Sequence, residues 1–242
     1  MTYPQSLRGK TVFVIGGGSG IGLATALQAE QAGASVIVGG NDRRQLDAAG
    51  RSFNEVRIVD VDITVRQSVE TAFSDLPRLH HLVITAGRRI KGAISDTDPD
   101  YLMQAVHERV AGAVYAVRAG LPLLGEDASI TLTSGLLGQR PLAPGNATFA
   151  ASVGGVDALV RGLAMELKPV RVNAVAPGVT DSTLFVGVDP QVRDAFFQQA
   201  RARTLVNRLG TVDQVASAYI FLMSNGYVNG HILHVDGGAQ IS

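Results

Sequence analysis

Seven short apolar runs, rich in β-branched residues, punctuate this chain and leave few folds open to it. They are Thr11–Ile15, Ser35–Val38, Val56–Val59, His81–Thr85, Ser129–Thr133, Arg171–Val175 and His231–Val235. Between most of them apolar residues recur at spacings of three and four, as in Gly22–Ala32, Tyr101–Gly120 and Val153–Leu167. A strand that is apolar throughout needs cover on both faces, which is the situation in a parallel sheet. Right-handed crossovers then give an α/β architecture, a doubly wound three-layer sandwich. Residues 1–242 read as a single domain without repeats or linkers. The segment Pro190–Thr211 breaks the alternation. It reads as a helical insertion, spanning about 184–211, near the C-terminal edge of the sheet, where such insertions commonly cover a ligand.

Charge and composition remove several functional classes. Lys and Arg total 21 and Asp and Glu total 21, so no basic excess exists to hold nucleic acid. With 46% hydrophobic and 17% charged residues, the chain is too apolar for disorder. Cysteine is absent, which excludes a disulfide framework, a thiol nucleophile and a thiolate metal site. No histidine spacing suggests a metal site either. Thr11–Ala29 is uncharged but glycine-rich, and Ser224-Asn225-Gly226 interrupts the uncharged stretch Gln214–Val235, so no membrane span is expected. The start Met-Thr-Tyr-Pro does not resemble a signal peptide, and a cytoplasmic location is the plain expectation.

Glycine clusters where the first run ends. Thr11–Ile15 passes into Gly16-Gly17-Gly18-Ser19-Gly20-Ile21-Gly22, and a helical pattern follows. Gly16 suits a sharp turn, and Gly20 and Gly22 let a helix begin close to the sheet. Free backbone N–H groups and the positive helix end then face a pyrophosphate, so Gly16, Gly18, Ser19, Gly20, Ile21 and Gly22 are candidate dinucleotide contacts. The second run ends at Gly39-Gly40-Asn41-Asp42-Arg43-Arg44. Gly40 stands where an NAD site usually has a carboxylate for the ribose 2′-hydroxyl. Asn41, Arg43 and Arg44 suit a 2′-phosphate instead, so NADP(H) is expected in preference to NAD(H). Asp42 opposes that preference.

These residues resemble the short-chain dehydrogenase/reductase family, along essentially the whole chain. The glycine loop is similar to the family's TGxxxGxG pattern, with Ile15 in place of Thr. Val61-Asp62-Ile63-Thr64 resembles its adenine-contacting stretch, and Thr85-Ala86-Gly87 the tail of its Asn-Asn-Ala-Gly motif. Arg171–Gly178 and Val228–Gly238 resemble its sixth-strand end and its C-terminal signature. The resemblance implies a Rossmann-type seven-stranded sheet in the order 3-2-1-4-5-6-7 and a homodimer or homotetramer. It further implies cofactor contacts from Asp62, Ile63, Ala86, Gly87, Pro177, Gly178, Thr180 and Ser182.

That family works through an Asn-Ser-Tyr-Lys tetrad, and here the pattern breaks. Phe149 stands at the Tyr position, Val153 at the Lys position and Arg109 at the Asn position; Ser134 lies at or beside the Ser position. Neither Phe149 nor Val153 can move a proton, and Arg stays charged near neutral pH. Ser134 and Arg109 are therefore the candidate catalytic residues, Ser134 to polarise a carbonyl and Arg109 to hold an oxygen or carboxylate. The bland alternatives are a strand-end hydroxyl for Ser134, and for Arg109 an ion pair within its helix or with Asp127. Leu136, Leu137, Leu142, Phe149, Leu184 and Phe185 are candidates for an apolar wall around a small-molecule substrate. Two functions follow. One is an atypical NADP(H)-dependent oxidoreductase acting on a small carbonyl or alcohol. The other is an inactive NADP(H)-binding protein, a sensor or oligomer partner. A lyase or dehalogenase on this fold is disfavoured, because such relatives lose the glycine loop and keep a Ser-Tyr-basic trio.

Overall fold

Each strand's side chains alternate between two apolar layers, and that alternation organises the computed structural model, which describes residues 6–141, 144–182 and 187–242. The strands are β1 (Thr11–Ile15), β2 (Ser35–Gly40), β3 (Val56–Asp60), β4 (Leu79–Ile84), β5 (Leu124–Thr133), β6 (Arg171–Pro177) and β9 (Ile232–Val235). Two two-residue strands, β7 (Thr180–Asp181) and β8 (Gly210–Thr211), pair outside this sheet. The main sheet is parallel, in the order β3-β2-β1-β4-β5-β6-β9. This is the expected order, with β9 as the seventh strand of the sheet.

The helices divide between the two faces as the strand alternation demands. Phe13 and Ile15 of β1 point into the layer built by α3 (Arg66–Phe73), α5 (Gly112–Gly120) and α6 (Ala147–Glu166). Val12 and Val14 point the other way, onto α1 (Gly20–Gln31), α2 (Arg43–Gly50) and α8 (Val212–Ser224). Residues 101–120, read as one helical pattern, form three pieces: α4 (Pro99–Val106), a single π-helical turn over His107–Ala111, and α5. The extra residue of a π-turn re-aims side chains, and such turns are frequent at functional sites. The insertion forms α7 (Pro190–Ala202), started by Asp189, whose carboxylate accepts from the Gln191 and Val192 amides. Among the described residues, no helix is long and apolar enough to cross a membrane.

Chain order reverses beside β1, where β2 lies on one side and β4 on the other. The crevice above the C-terminal ends of strands at such a switch point is the usual ligand site of open α/β sheets. Two buried polar anchors hold the sheet toward its other edge, near the N-terminal ends of β4 and β6. The Arg171 guanidinium donates to the Leu222 and Met223 carbonyls at 2.8 and 3.0 Å, satisfying the C-terminal end of α8. His81 Nδ1 lies 2.8 Å from Ser129 Oγ across the β4–β5 pair. Burial, with Arg171 adding to it, pushes the His81 pKa down to about 3. An unfolded chain binds this proton near pH 6.5 while the folded one does not, so His81 reduces stability as pH falls below 6.5. Between about pH 6 and 3 its slope is roughly 1.4 kcal/mol per pH unit. Urea denaturation at stepped pH values is expected to show a shallower acid loss in His81→Gln than in the parent, by about one proton.

Candidate functional site

A cleft of about 1060 Å3 runs along the C-terminal ends of the strands. Its floor is the glycine turn, and two close approaches explain the residues there. A Cβ on Gly22 would lie 2.1 Å from the Gly16 carbonyl oxygen, and one on Gly16 would lie 2.6 Å from the Ala86 amide nitrogen. Gly16 also holds φ of +91°. Helix α1 therefore begins directly against the β1 and β4 ends, with its N-terminus opening on the cleft. Gly16, Gly18, Ser19, Gly20, Ile21 and Gly22 all line it.

One end of the cleft lies over β2 and β3. Gly40, Asn41, Asp42, Gln45, Leu46 and Asp62 line this end. Asp62 is positioned by its neighbours: Thr64 donates to Oδ1 through its amide at 2.9 Å and its hydroxyl at 2.6 Å, and Asn41 Nδ2 donates to Oδ2 at 3.4 Å. Burial pushes this carboxyl up, but these hydrogen bonds outweigh it and hold its pKa below the ordinary value. Arg43 is not where the sequence reading put it. Its guanidinium donates to Asp47 at 2.8 Å and to Asp60 at 3.0 Å, outside the cleft lining. The physical reason is helical spacing: Asp47 sits four residues on along α2, and Asp60 ends the adjacent strand. Asp42 lines the cleft instead, with Oδ1 accepting from the Arg44 and Gln45 amides as the cap of α2.

The other end lies over β4, β5 and β6, between α6 and α7. Ile63, Ala86, Gly87, Pro177, Gly178, Thr180 and Ser182 line the cleft, Gly87 in a positive-φ conformation. Leu136, Leu137 and Phe149 form an apolar wall, whereas Leu142, Leu184 and Phe185 lie outside the described residues. Val153, one turn after Phe149, is fully buried behind the wall.

Arg109 projects from the π-turn and lines this end, with 9% of its surface exposed. Its Nη2 donates to the carbonyls of Gly87 and Arg88 at 3.2 and 3.4 Å, and its guanidinium carbon stands 4.9 Å from the centre of the Phe149 ring. Its Nε is buried without a hydrogen-bond partner among the described residues. Neither ion pair considered for it forms: Glu108 pairs with Arg88, and Asp127 with Lys10. Burial lowers the Arg109 pKa, yet guanidinium remains charged at neutral pH.

Ser134 also lines the cleft, but its hydroxyl faces inward, donating to Asp157 Oδ1 at 2.5 Å. Its proton is thus committed to a buried carboxylate, which corrects the expectation that it donates to a substrate carbonyl. Asp157 was missed in the sequence, although it falls four residues after Val153 on the same face of α6. Tyr219 of α8 is also buried, its hydroxyl 2.6 Å from Thr133 Oγ1, and burial pushes its pKa up. It does not line the cleft. Four lining residues from α7 and its cap, Phe196, Gln199, Ala200 and Arg203, were covered only by the general expectation that the insertion covers a ligand. Among the described residues, no cluster of His, Asp or Glu could hold a metal ion.

Comparison with known proteins places these features among relatives. Residues 16–240 match the family described as enoyl-(acyl carrier protein) reductase. The chain is 30% identical to a short-chain dehydrogenase/reductase of Stachybotrys chlorohalonatus, over 97% of this chain and 98% of that one. It is also 30% identical to the 3-oxoacyl-(acyl-carrier-protein) reductase of Bos taurus, over 96% of this chain and 99% of that one. A solved structure, a small-chain dehydrogenase in complex with NADPH, has a TM-score of 0.85 at 32% identity, covering 96% of this chain and 99% of that one.

The glycine geometry makes a graded prediction. Gly22→Ala must push backbone apart and is expected to cost about 1–3 kcal/mol. At Gly18 a Cβ would meet the Leu46 Cδ2 methyl at 3.3 Å, a side chain that can yield, so Gly18→Ala is expected to cost less than about 1 kcal/mol. Chemical denaturation of the two variants checks the order.

Proposed function

The chain belongs to the short-chain dehydrogenase/reductase family, and from that premise we propose an NADP(H)-dependent oxidoreductase that works without the family's tyrosine–lysine pair. The observation that carries the cofactor reading is the glycine turn. A side chain at Gly16 or Gly22 would fill the space that brings the N-terminus of α1 against the strand ends, and this arrangement fits a pyrophosphate. The NADPH-bound structural relative supports the same choice. Asp62 fits the adenine, and Ala86, Gly87, Pro177, Gly178, Thr180 and Ser182 line the path to the nicotinamide. Asn41 faces the 2′-position. Arg43 reaches a 2′-phosphate only by leaving Asp47 and Asp60, so these carboxylates temper the preference over NAD(H).

The bound nicotinamide supplies or accepts hydride, and the protein's task is to place a small carbonyl or alcohol beside it. We assign the substrate oxygen to Arg109. A buried guanidinium backed by two carbonyls and an aromatic face is fixed before substrate arrives, so it stabilises developing negative charge without reorganisation. Ser134 keeps its proton on Asp157 with its hydroxyl turned away from the cleft, so it does not serve as the acid. The proton then comes from solvent water beside Arg109. Phe149 and Val153, in the positions of the family's Tyr and Lys, contribute only apolar surface. The lack of a titrating acid also favours the second reading, an NADP(H)-binding protein without turnover. Loss of such an acid typically costs about 10²–10⁴-fold in rate.

Titration with NADPH and NADH, followed by thermal shift and reduced-cofactor fluorescence, is expected to show binding with NADPH the tighter ligand. Absence of either response refutes the cofactor reading. Any carbonyl-dependent oxidation of NADPH separates the enzyme from the inactive binder. In an active preparation, Arg109→Met is expected to lower kcat by about 10²-fold or more, with NADPH affinity little changed. Unchanged turnover removes Arg109 from the chemistry.

A further inference from the structure

The charges of the cleft are sorted by end. Asp42 and Asp62 lie over β2 and β3, and Glu108, the remaining carboxylate of the lining, is bound by Arg88. Over β4 to β6, in contrast, the lining contributes Arg89, Arg109 and Arg203.

Two of these arginines reach the cleft from different elements. Arg89 follows β4, half-buried, with its guanidinium carbon 5.0 Å from the centre of the Phe196 ring. Phe196 belongs to α7, and the residues at i, i+3, i+4 and i+7 from it are Phe196, Gln199, Ala200 and Arg203. That spacing puts Arg203 on the face of α7 that carries Phe196, and all four line the cleft. The Arg89–Phe196 contact therefore joins the two walls, and Arg203 lies two turns along the same face. Burial lowers the Arg89 pKa, as expected for a cation packed against an aromatic face. Guanidinium forks match carboxylate and phosphate oxygens geometrically, and Phe149, Leu136 and Leu137 supply apolar cover beside them.

We propose that this end of the cleft selects a substrate with an apolar body and an anionic group, carboxylate or phosphate, held between Arg89 and Arg203 while its reacting oxygen lies at Arg109. The proposal rests on the oxidoreductase reading for the identity of the reacting end, and adds the substrate class. Arg109 acts on the oxygen that changes charge, whereas Arg89 and Arg203 hold a charge that stays constant. Removing the latter pair is therefore expected to act on binding.

Calorimetric titration at low ionic strength tests this with 4-phenyl-2-oxobutyrate, its ethyl ester and phenyl phosphate, each with and without NADPH. The acid is expected to bind about tenfold or more tightly than the ester. In Arg89→Gln/Arg203→Gln that preference is expected to fall below about threefold, and in Arg89→Lys/Arg203→Lys to return in large part. Both side chains lie at the cleft surface, so these variants are expected to fold, with unchanged NADPH affinity as the control. Tighter binding of phenyl phosphate than of the oxo acid assigns the anion to a phosphate, and the reverse assigns it to a carboxylate. Equal binding of acid and ester, an unaltered preference in the glutamine variant, or no binding of any probe overturns the proposal. Failure of NADPH to bind overturns the cofactor reading alone, because probe preference is also read without it.

Discussion

The contact between Gly22 and the Gly16 carbonyl sets the position of everything above the sheet. No side chain fits between them, so α1 starts at the strand ends instead of beyond them. From that fixed point the β2 end reaches one side and the β4 end the other. The cleft is the space this reversal of chain order leaves open. A larger residue at Gly22 would lift the helix and close the geometry that presents its N-terminal amides. The apolar layers on both faces then hold the strands whose ends form the floor.

At the far end the controlling feature is a buried charge without a carboxylate. Desolvating a guanidinium is expensive, and Arg109 recovers part of that cost from two carbonyls and the Phe149 ring. The π-turn at His107–Ala111 is what allows neighbouring Glu108 and Arg109 both to be buried, with Glu108 turned to Arg88. Phe149 gives the cation an aromatic face, so the first turns of α6 and the π-turn are placed together by this contact.

Much of this was legible in the linear sequence. Apolar runs too hydrophobic for a half-exposed sheet required cover on both faces, and the glycines after the first run required a tight turn into a helix. Most expected cofactor-side residues line the cleft, because strand ends and turn residues are fixed by backbone geometry. Arg43 turned away from the cleft for a reason outside that logic. A surface guanidinium goes to the strongest acceptors within reach, and Asp60 belongs to a neighbouring strand.

The sequence by itself determined the layer architecture, the strand order through its family pattern, and the position of the glycine turn. These depend on periodicity, on the handedness of crossovers and on the absence of Cβ atoms, all local properties of the chain. Only the tertiary structure decided where the long polar side chains point. Ser134 turned to Asp157, Arg43 to Asp60, Arg109 to the Phe149 ring and Arg89 to Phe196 of the insertion. Each of these partners lies far along the chain or on another element. Flexible side chains choose among such partners by distance and desolvation, and both quantities come into existence only when the elements pack.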